Sequence, residues 1–260
     1  MNIPPDLLTR IQVTGITEED YKRIEPYVKM IDNISPMFCA EYYIFDYHRM
    51  VCYHAAPGQG SSGFPYREHA TDIAELCRDM PQELSDKMWL HTIEWQDFVK
   101  GIPADEQANC VFTCNFQFDT KYRRRTICYK SRVLQAAPDG RPWLEFGMQS
   151  EMPYKSPCIM TAYNTKTKSL WISEEGKGQW RKMPIPQLSD KEKEVLTLAA
   201  QGFMTKEIAD ILNRTESTID THRRALFKKL NVTNMMEAVG YAMTYHLLQG
   251  YNTLIDRTIE

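Results

Sequence analysis

The chain lacks what would place it in a membrane, or in a metal- or phosphate-dependent enzyme. No stretch is apolar for the roughly 20 residues a membrane helix needs. The opening MNIPPDLLTR has no basic segment followed by an apolar one, so no signal peptide is expected and a cytoplasmic protein is the default. There is no CxxC, no HExxH, no glycine-rich phosphate loop and no nucleophile motif. Excess positive charge is missing too: 31 Lys and Arg stand against 34 Asp and Glu, a net charge of −3. Binding to nucleic acid through bulk charge alone is thereby excluded, and any basic surface must be placed rather than abundant. The seven cysteines are odd in number, which speaks against a disulfide framework in a reducing compartment.

Small clusters of chemically competent residues remain. His91, Glu94 and Asp97 recur at helical spacing and could suit a metal or acid–base chemistry, but a polar helix face explains them equally well. Catalysis is not expected. Cys110 and Cys114 fall on one face of an expected strand. They read as a metal or redox pair, or as small buried hydrophobes, and without a CxxC the second reading is preferred. Cys52 and His54 alternate on another strand, a thin basis for a ligand pair.

What is present is enough for two domains: 260 residues, 43% hydrophobic. The stretch from Leu188 to Leu230 predicts three short helices. Ser189 and Glu192 form a capping box for the first, and Gly202 ends it. Thr205 is expected to cap the second helix, whose inner face is Ile208, Ala209, Ile211 and Leu212, and Asn213 and Arg214 make the turn. Thr215 caps the third. Its inner stripe is Ile219, His222, Leu226 and Leu230, and its outer stripe is Ser217, Asp220, Thr221, Arg224 and Lys228. Helix, tight turn, helix with an outward polar stripe suits the DNA major groove. Asn234 and Glu237 open a fourth helix, expected to reach about Leu248.

This stretch resembles the DNA-binding domain of the LuxR/NarL family of bacterial transcription regulators. The resemblance is carried by Leu188, Glu192, Glu194, Val195, Leu196, Gly202, Lys206, Glu207, Ile208, Ala209, Leu212, Thr218, Ile219, His222, Lys229, Leu230, Val232, Glu237 and Ala238, over about a quarter of the chain. It implies double-stranded DNA as partner, Asp220, Thr221 and Arg224 as base-reading candidates, and Lys206, Arg223, Lys228 and Lys229 as phosphate candidates. Asp220 stands where many members carry a basic residue; a carboxylate there can accept from a cytosine amino group. From Gln187 onward nine basic residues meet ten acidic ones, so one copy should bind weakly and a homodimer is expected. The resemblance assigns dimerisation to the fourth helix, with Ala238 and Ala242 permitting close approach.

The preceding part predicts an antiparallel sheet with flanking helices. Thr17 caps a helix with an apolar stripe at Tyr21, Ile24, Val28 and Ile31, interrupted or kinked by Pro26, which either covers its own domain or serves dimerisation. Two strands lie between Ala40 and Ala55, with a turn near Tyr47–Arg49. Helices follow over about Glu68–Met80 and Glu83–Val99, then strands at Cys110–Asp119, Arg123–Gln135 and Trp143–Met152, with an Asp139-Gly140 turn before the last. A hairpin spans Cys158–Ser173, turning at Asn164–Lys168. The order two strands, helices, three strands resembles a PAS sensor domain, carried by YYIFDYHRMVCYH and by the later hairpin ending GMQSEM. Alternating residues such as Phe45 and Cys114 would line a packed core or a small-molecule cavity; the pattern leaves both open. The expected organisation is a PAS-like α+β sensor or oligomerisation domain over 1–173, a linker over 174–187, an all-α four-helix domain over 188–250 and a tail over 251–260. The function implied is a sequence-specific transcription regulator with a sensory domain. An autoinducer-binding LuxR-type regulator and a response regulator with a divergent input domain are the alternatives. The sequence names no cofactor.

Overall fold

The computed structural model describes residues 5–34, 41–53, 71–72, 82–119, 124–152, 159–174, 178–245 and 247–248. The chain divides into two compact units, one ending at Met183 and the other running from Pro184.

The first unit is built on one sheet. Its strands are β1 (Glu41–Asp46), β2 (Val51–Tyr53), β3 (Thr71–Asp72), β4 (Cys110–Asp119), β5 (Arg124–Ala136), β6 (Pro142–Glu151), β7 (Ile159–Asn164), β8 (Ser169–Glu174) and β9 (Arg181–Met183). They lie in the order β3-β2-β1-β6-β5-β4-β7-β8-β9, with every neighbouring pair antiparallel. The expected sheet from Tyr42 to Met152 therefore forms. Thr71 and Asp72 sit in β3, not in the helix expected over Glu68–Met80, the rest of which lies outside the described residues, as does His54.

Tight turns set the register. Asp46 Oδ1 accepts the backbone N–H groups of His48 and Arg49 at 2.9 and 3.0 Å, closing the β1–β2 hairpin. Gly140, at φ +83°, sits in the β5–β6 turn, where a side chain would be strained. Asn164 Oδ1 caps the β7–β8 turn by accepting from Lys166 and Thr167.

Four helices belong to this unit: α1 (Pro5–Ile11), α2 (Glu18–Ile34), α3 (Gln82–Lys100) and α4 (Ala104–Gln107). Thr17 and Asp20 cap α2 reciprocally. The helix runs on through Pro26 without the interruption that was one of the two expectations for it. Proline removes a single backbone bond there, and burial of Ile24 on one side and Ile31 on the other holds both halves down. Those contacts settle part of the role of α2: Tyr21, Ile24 and Ile31 pack on their own unit, with the Tyr21 hydroxyl 2.8 Å from Asp46.

The strand period of two puts Phe45, Glu145, Tyr129, Phe112, Cys114 and Phe116 on one face, since Phe45 pairs with Glu145 and Cys114 with Tyr129. Helix α3 covers that face: Trp95 stacks on Phe112 at 4.9 Å and His91 on Phe116 at 4.9 Å. Residues expected to be linker are partly structured, because Arg181–Met183 pairs with β8 as β9.

The second unit has α5 (Asp190–Ala200), α6 (Thr205–Ile211), α7 (Glu216–Leu230) and α8 (Met235–Thr244). Its core is Leu188, Val195, Leu196, Leu198, Ile208, Ala209, Ile219, Leu226, Leu230, Ala238 and Ala242. The Ser189–Glu192 capping box is present, and Gly202 ends α5 at φ +94°. The N-cap of α6 is Met204 rather than Thr205, with Glu207 accepting the Met204 N–H at 2.7 Å. Asn234 caps α8, which ends at Thr244, earlier than expected.

Among the described residues no helix is long and apolar enough to cross a membrane.

Candidate functional site

Two places carry chemistry, one in each unit. In the second unit α6 and α7 meet across a short turn. Asn213 takes the left-handed conformation at φ 50°, and the Arg214 N–H closes back on the Ala209 carbonyl at 2.9 Å. Asn tolerates that conformation, so the chain can reverse within three residues. Thr215 then caps α7 by accepting from Thr218. Ile219, Leu226 and Leu230 are buried and His222 is half-buried, so the expected inner stripe faces inward.

The outer stripe is exposed along its length: Ser217, Asp220, Thr221, Arg224 and Lys228. Thr221 donates its hydroxyl to the Ser217 carbonyl. Arg224, Lys228 and Lys206 have no ion-pair partner among the described residues. Arg223 is half-buried, donating to the Thr205 hydroxyl and lying 3.9 Å from Asp220. It therefore ties α7 to the start of α6 and partly neutralises the one acid on the reading face.

Lys229, a phosphate candidate by sequence, is engaged within its own unit. Its ammonium donates to Glu192 Oε2 at 2.6 Å and to the Gln187 carbonyl at 3.0 Å, fastening α7 to the capping box of α5. Burial pushes the Glu192 carboxyl up, but Lys229 and the Ser189 donors outweigh it and hold the group below its ordinary value. A carboxyl lowered on folding stabilises the fold above its unfolded value, and the benefit is lost as pH falls through the lowered one. We expect Lys229→Met to cost the second unit ~1–2 kcal/mol near neutral pH, discounted for the exposure of Lys229. It should also weaken the acid dependence of unfolding and leave the salt slope of DNA binding unchanged. Thermal melts over a pH series and binding at several salt concentrations would test this; a reduced salt slope would make Lys229 a phosphate contact after all.

Ala238 and Ala242, the dimerisation candidates, pack within their own unit. Both have zero exposure in the unit's own core, because their small side chains let α8 lie close on the helix bundle. The exposed residues of α8 are Met236 and Met243, at 60% and 66%, two turns apart on one side.

In the first unit α3 and the sheet enclose a cavity of about 30 Å³, lined by Phe45, Tyr47, Met88, Trp89, His91, Thr92, Trp95, Phe112, Phe116, Tyr129 and Glu145. Glu145 is its one acid and is 1% exposed. It accepts from the Tyr129 hydroxyl at 2.8 Å and from the Tyr47 hydroxyl and the Trp95 indole N–H at 3.2 Å each. Burial raises its carboxyl above the usual value, while those donors pull the other way. No sequence signal flagged Glu145: it is one charged letter in a strand, and only the register shows that it faces inward.

The other candidates disperse. His91 Nδ1 lies 2.9 Å from Cys114 Sγ, and burial lowers the imidazole to about 4, so it is neutral. Glu94 accepts from the Gly178 N–H, and Asp97 is exposed and pairs with Arg10. Cys52, Cys110 and Cys114 are buried free thiols. Among the described residues no group of three or more His, Cys, Asp or Glu could hold a metal ion.

A helical core whose third helix, set by a short turn, offers an exposed polar and basic stripe is a helix-turn-helix domain. It is of the LuxR type: residues 186–242 match the family model described as bacterial regulatory proteins, luxR family. Over 57 residues the chain is 40% identical to the uncharacterized response regulatory protein YgeK of Escherichia coli (strain K12), covering 22% of this chain and 39% of that protein. Over 93 residues it is 38% identical to BvgA, a putative positive transcription regulator of virulence factors in Bordetella pertussis, covering 35% and 44%. The match thus spans less than half the length of these relatives. Among solved structures, a phage VqmA–DPO complex aligns with 92% of this chain and 97% of its own at 14% identity and a TM-score of 0.32.

Proposed function

We propose that the chain is a sequence-specific, DNA-binding transcription regulator whose first unit is a PAS-like sensory domain. The observation that carries the first half is the exposed stripe Asp220, Thr221, Arg224 and Lys228 on α7 of a LuxR-type domain. In this reading α7 enters the major groove, Asp220, Thr221 and Arg224 meet base edges, and Lys206, Arg223 and Lys228 meet phosphates. Replacing Arg224 with alanine should lose ~1–3 kcal/mol of specific binding and relax preference at one position. Lys228→Ala should weaken all sequences alike and lower the salt slope. Selection from a randomised duplex pool tests both; an unchanged preferred sequence with Arg224→Ala would remove Arg224 from base reading.

The sensory half is supported by the sheet. Strands β2-β1-β6-β5-β4 make one antiparallel sheet with α3 over one face, which fits that reading, and β7, β8 and β9 extend it at one edge. An enclosed cavity under the covering helix is where such a domain would hold a small molecule. The uniformly antiparallel sheet speaks against the response-regulator alternative, whose input domain needs alternating strands and helices around a parallel sheet. The domain runs through β9, so we place the linker at about 184–187 rather than 174–187.

Homodimerisation fits a module that is not net basic, since two linked copies raise effective concentration without new contacts. The exposed Met236 and Met243 of α8 are the surface we assign to it.

A further inference from the structure

The cavity wall says something about the ligand, on the premise that the first unit is a sensor. Glu145 is buried without a countercharge: its partners are two phenols, an indole and the Ser131 hydroxyl, all neutral, and no Lys or Arg among the described residues pairs with it. A carboxylate offers about four lone-pair directions. The Tyr47 and Trp95 bonds are long, at 3.2 Å each, so a charged donor from a ligand can take the place of one of them.

Most of the remaining lining is aromatic: Phe45, Tyr47, Trp89, Trp95, Phe112, Phe116 and Tyr129. Aromatic faces attract cations through their quadrupole, and more strongly once water is gone. The indole N–H of Trp89 is buried without a hydrogen-bond partner. It is therefore a spare donor in the same wall as the uncompensated carboxyl. His91 adds no positive charge, being neutral. An anion would meet the Glu145 carboxylate across the cavity and be repelled, whereas a neutral apolar molecule would leave the Trp89 N–H unanswered and the carboxylate without a countercharge.

We propose that this cavity binds a small ammonium compound: a protonated nitrogen donating to Glu145, a short apolar or aromatic body among the rings, and room for one acceptor at Trp89. Size limits the body. A space of about 30 Å³ takes one or two waters, so anything larger must displace the wall. Met88 and Thr92 are half-buried lining residues of α3, and the unbranched Met88 side chain is the one best able to give way.

The test uses the full chain and matched probes: propylammonium and 2-phenylethylammonium, propanol and 2-phenylethanol as neutral counterparts, propionate and phenylacetate as anions. Tryptophan fluorescence reports locally, because Trp89 and Trp95 line the site, and melting temperature reports globally. The ammonium members should bind saturably and at least tenfold more tightly than their alcohols. Glu145→Gln should erase that preference, and Tyr47→Phe, which leaves the carboxylate in place, should retain it. The comparison among probes on the unaltered protein stands even if Glu145→Gln fails to fold. Equal or tighter binding of an alcohol or an anion overturns the proposal and leaves the sensory reading standing. So does native mass spectrometry that finds a neutral or anionic molecule retained from the cell. If no probe binds and nothing is retained, the sensory reading falls together with it.

Discussion

Gly147→Val should cost the first unit about 3 kcal/mol or more, at the upper end of overpacking penalties. Gly147 lies in the middle of β6, directly opposite Tyr43 of β1 and Ser131 of β5. A Cβ built there would overlap the end of the Tyr43 ring. That ring cannot swing aside cheaply. It is 4% exposed, packs 4.5 Å from the Phe45 ring and stacks on Tyr129 at 5.5 Å, and Tyr129 holds Glu145. The absent side chain is thus filled by a tyrosine that continues the cavity wall. For a unit of this size the loss corresponds to a fall in Tm of roughly 6–12 °C. The transition of the second unit should be unchanged, and so should the DNA affinity of an isolated half-site complex. Adding Tyr43→Leu should recover part of the loss, because the two changes share one space and are not additive. Calorimetry on the full chain reads both transitions; a Gly147→Val protein melting within 2 °C of the parent, a margin set by that scaling, would mean the strand can shift to make room.

That glycine illustrates which parts of the structure were legible in the chain. The helix-turn-helix was, because its information is local: Ser189 with Glu192, Gly202, Asn213 and Thr215 set the ends, and the 3.6-residue period of Ile219, Leu226 and Leu230 sets the inner face. The strands of the first unit were legible too, from Cys110–Asp119 to the Asp139-Gly140 turn. What could not be read was which strand lies beside which. The pairing of β1 with β6, separated by about a hundred residues, brings Phe45 next to Glu145 and so creates the cavity. Spacing within a segment carries no information about that. The packing of Ala238 and Ala242 within their own unit was hidden for a related reason: small residues mark close approach of helices, but not whether the neighbour is in the same chain or another. The contact of Lys229 with Glu192 was not legible either, because a basic residue at the end of a helix looks alike whether it meets a phosphate or a carboxylate of its own unit.

The segment before the second unit was expected to be featureless, and its anchoring gives the other large prediction. The Gly178 N–H donates to Glu94 Oε1 at 3.0 Å, and the Trp180 indole N–H to the Glu94 carbonyl at 3.3 Å. Trp180 also stacks on Phe98 at 4.2 Å, and three residues of β9 pair with β8. Both anchors are on α3, the helix that supplies Met88, Trp89, His91, Thr92 and Trp95 to the cavity. One helix therefore lines the cavity and also holds the chain leading to Pro184. Trp180→Ala should remove ~2–3 kcal/mol from this attachment, less than a fully buried tryptophan because Trp180 is half-buried. The amides of Arg181, Lys182 and Met183 would then exchange with solvent roughly 30–100-fold faster, while those of β4, β5 and β6 keep their protection. Hydrogen exchange on the full chain measures both sets at once. Unchanged exchange in β9 would show that the strand pairing alone holds the segment, and that α3 has no grip on the chain leaving the domain.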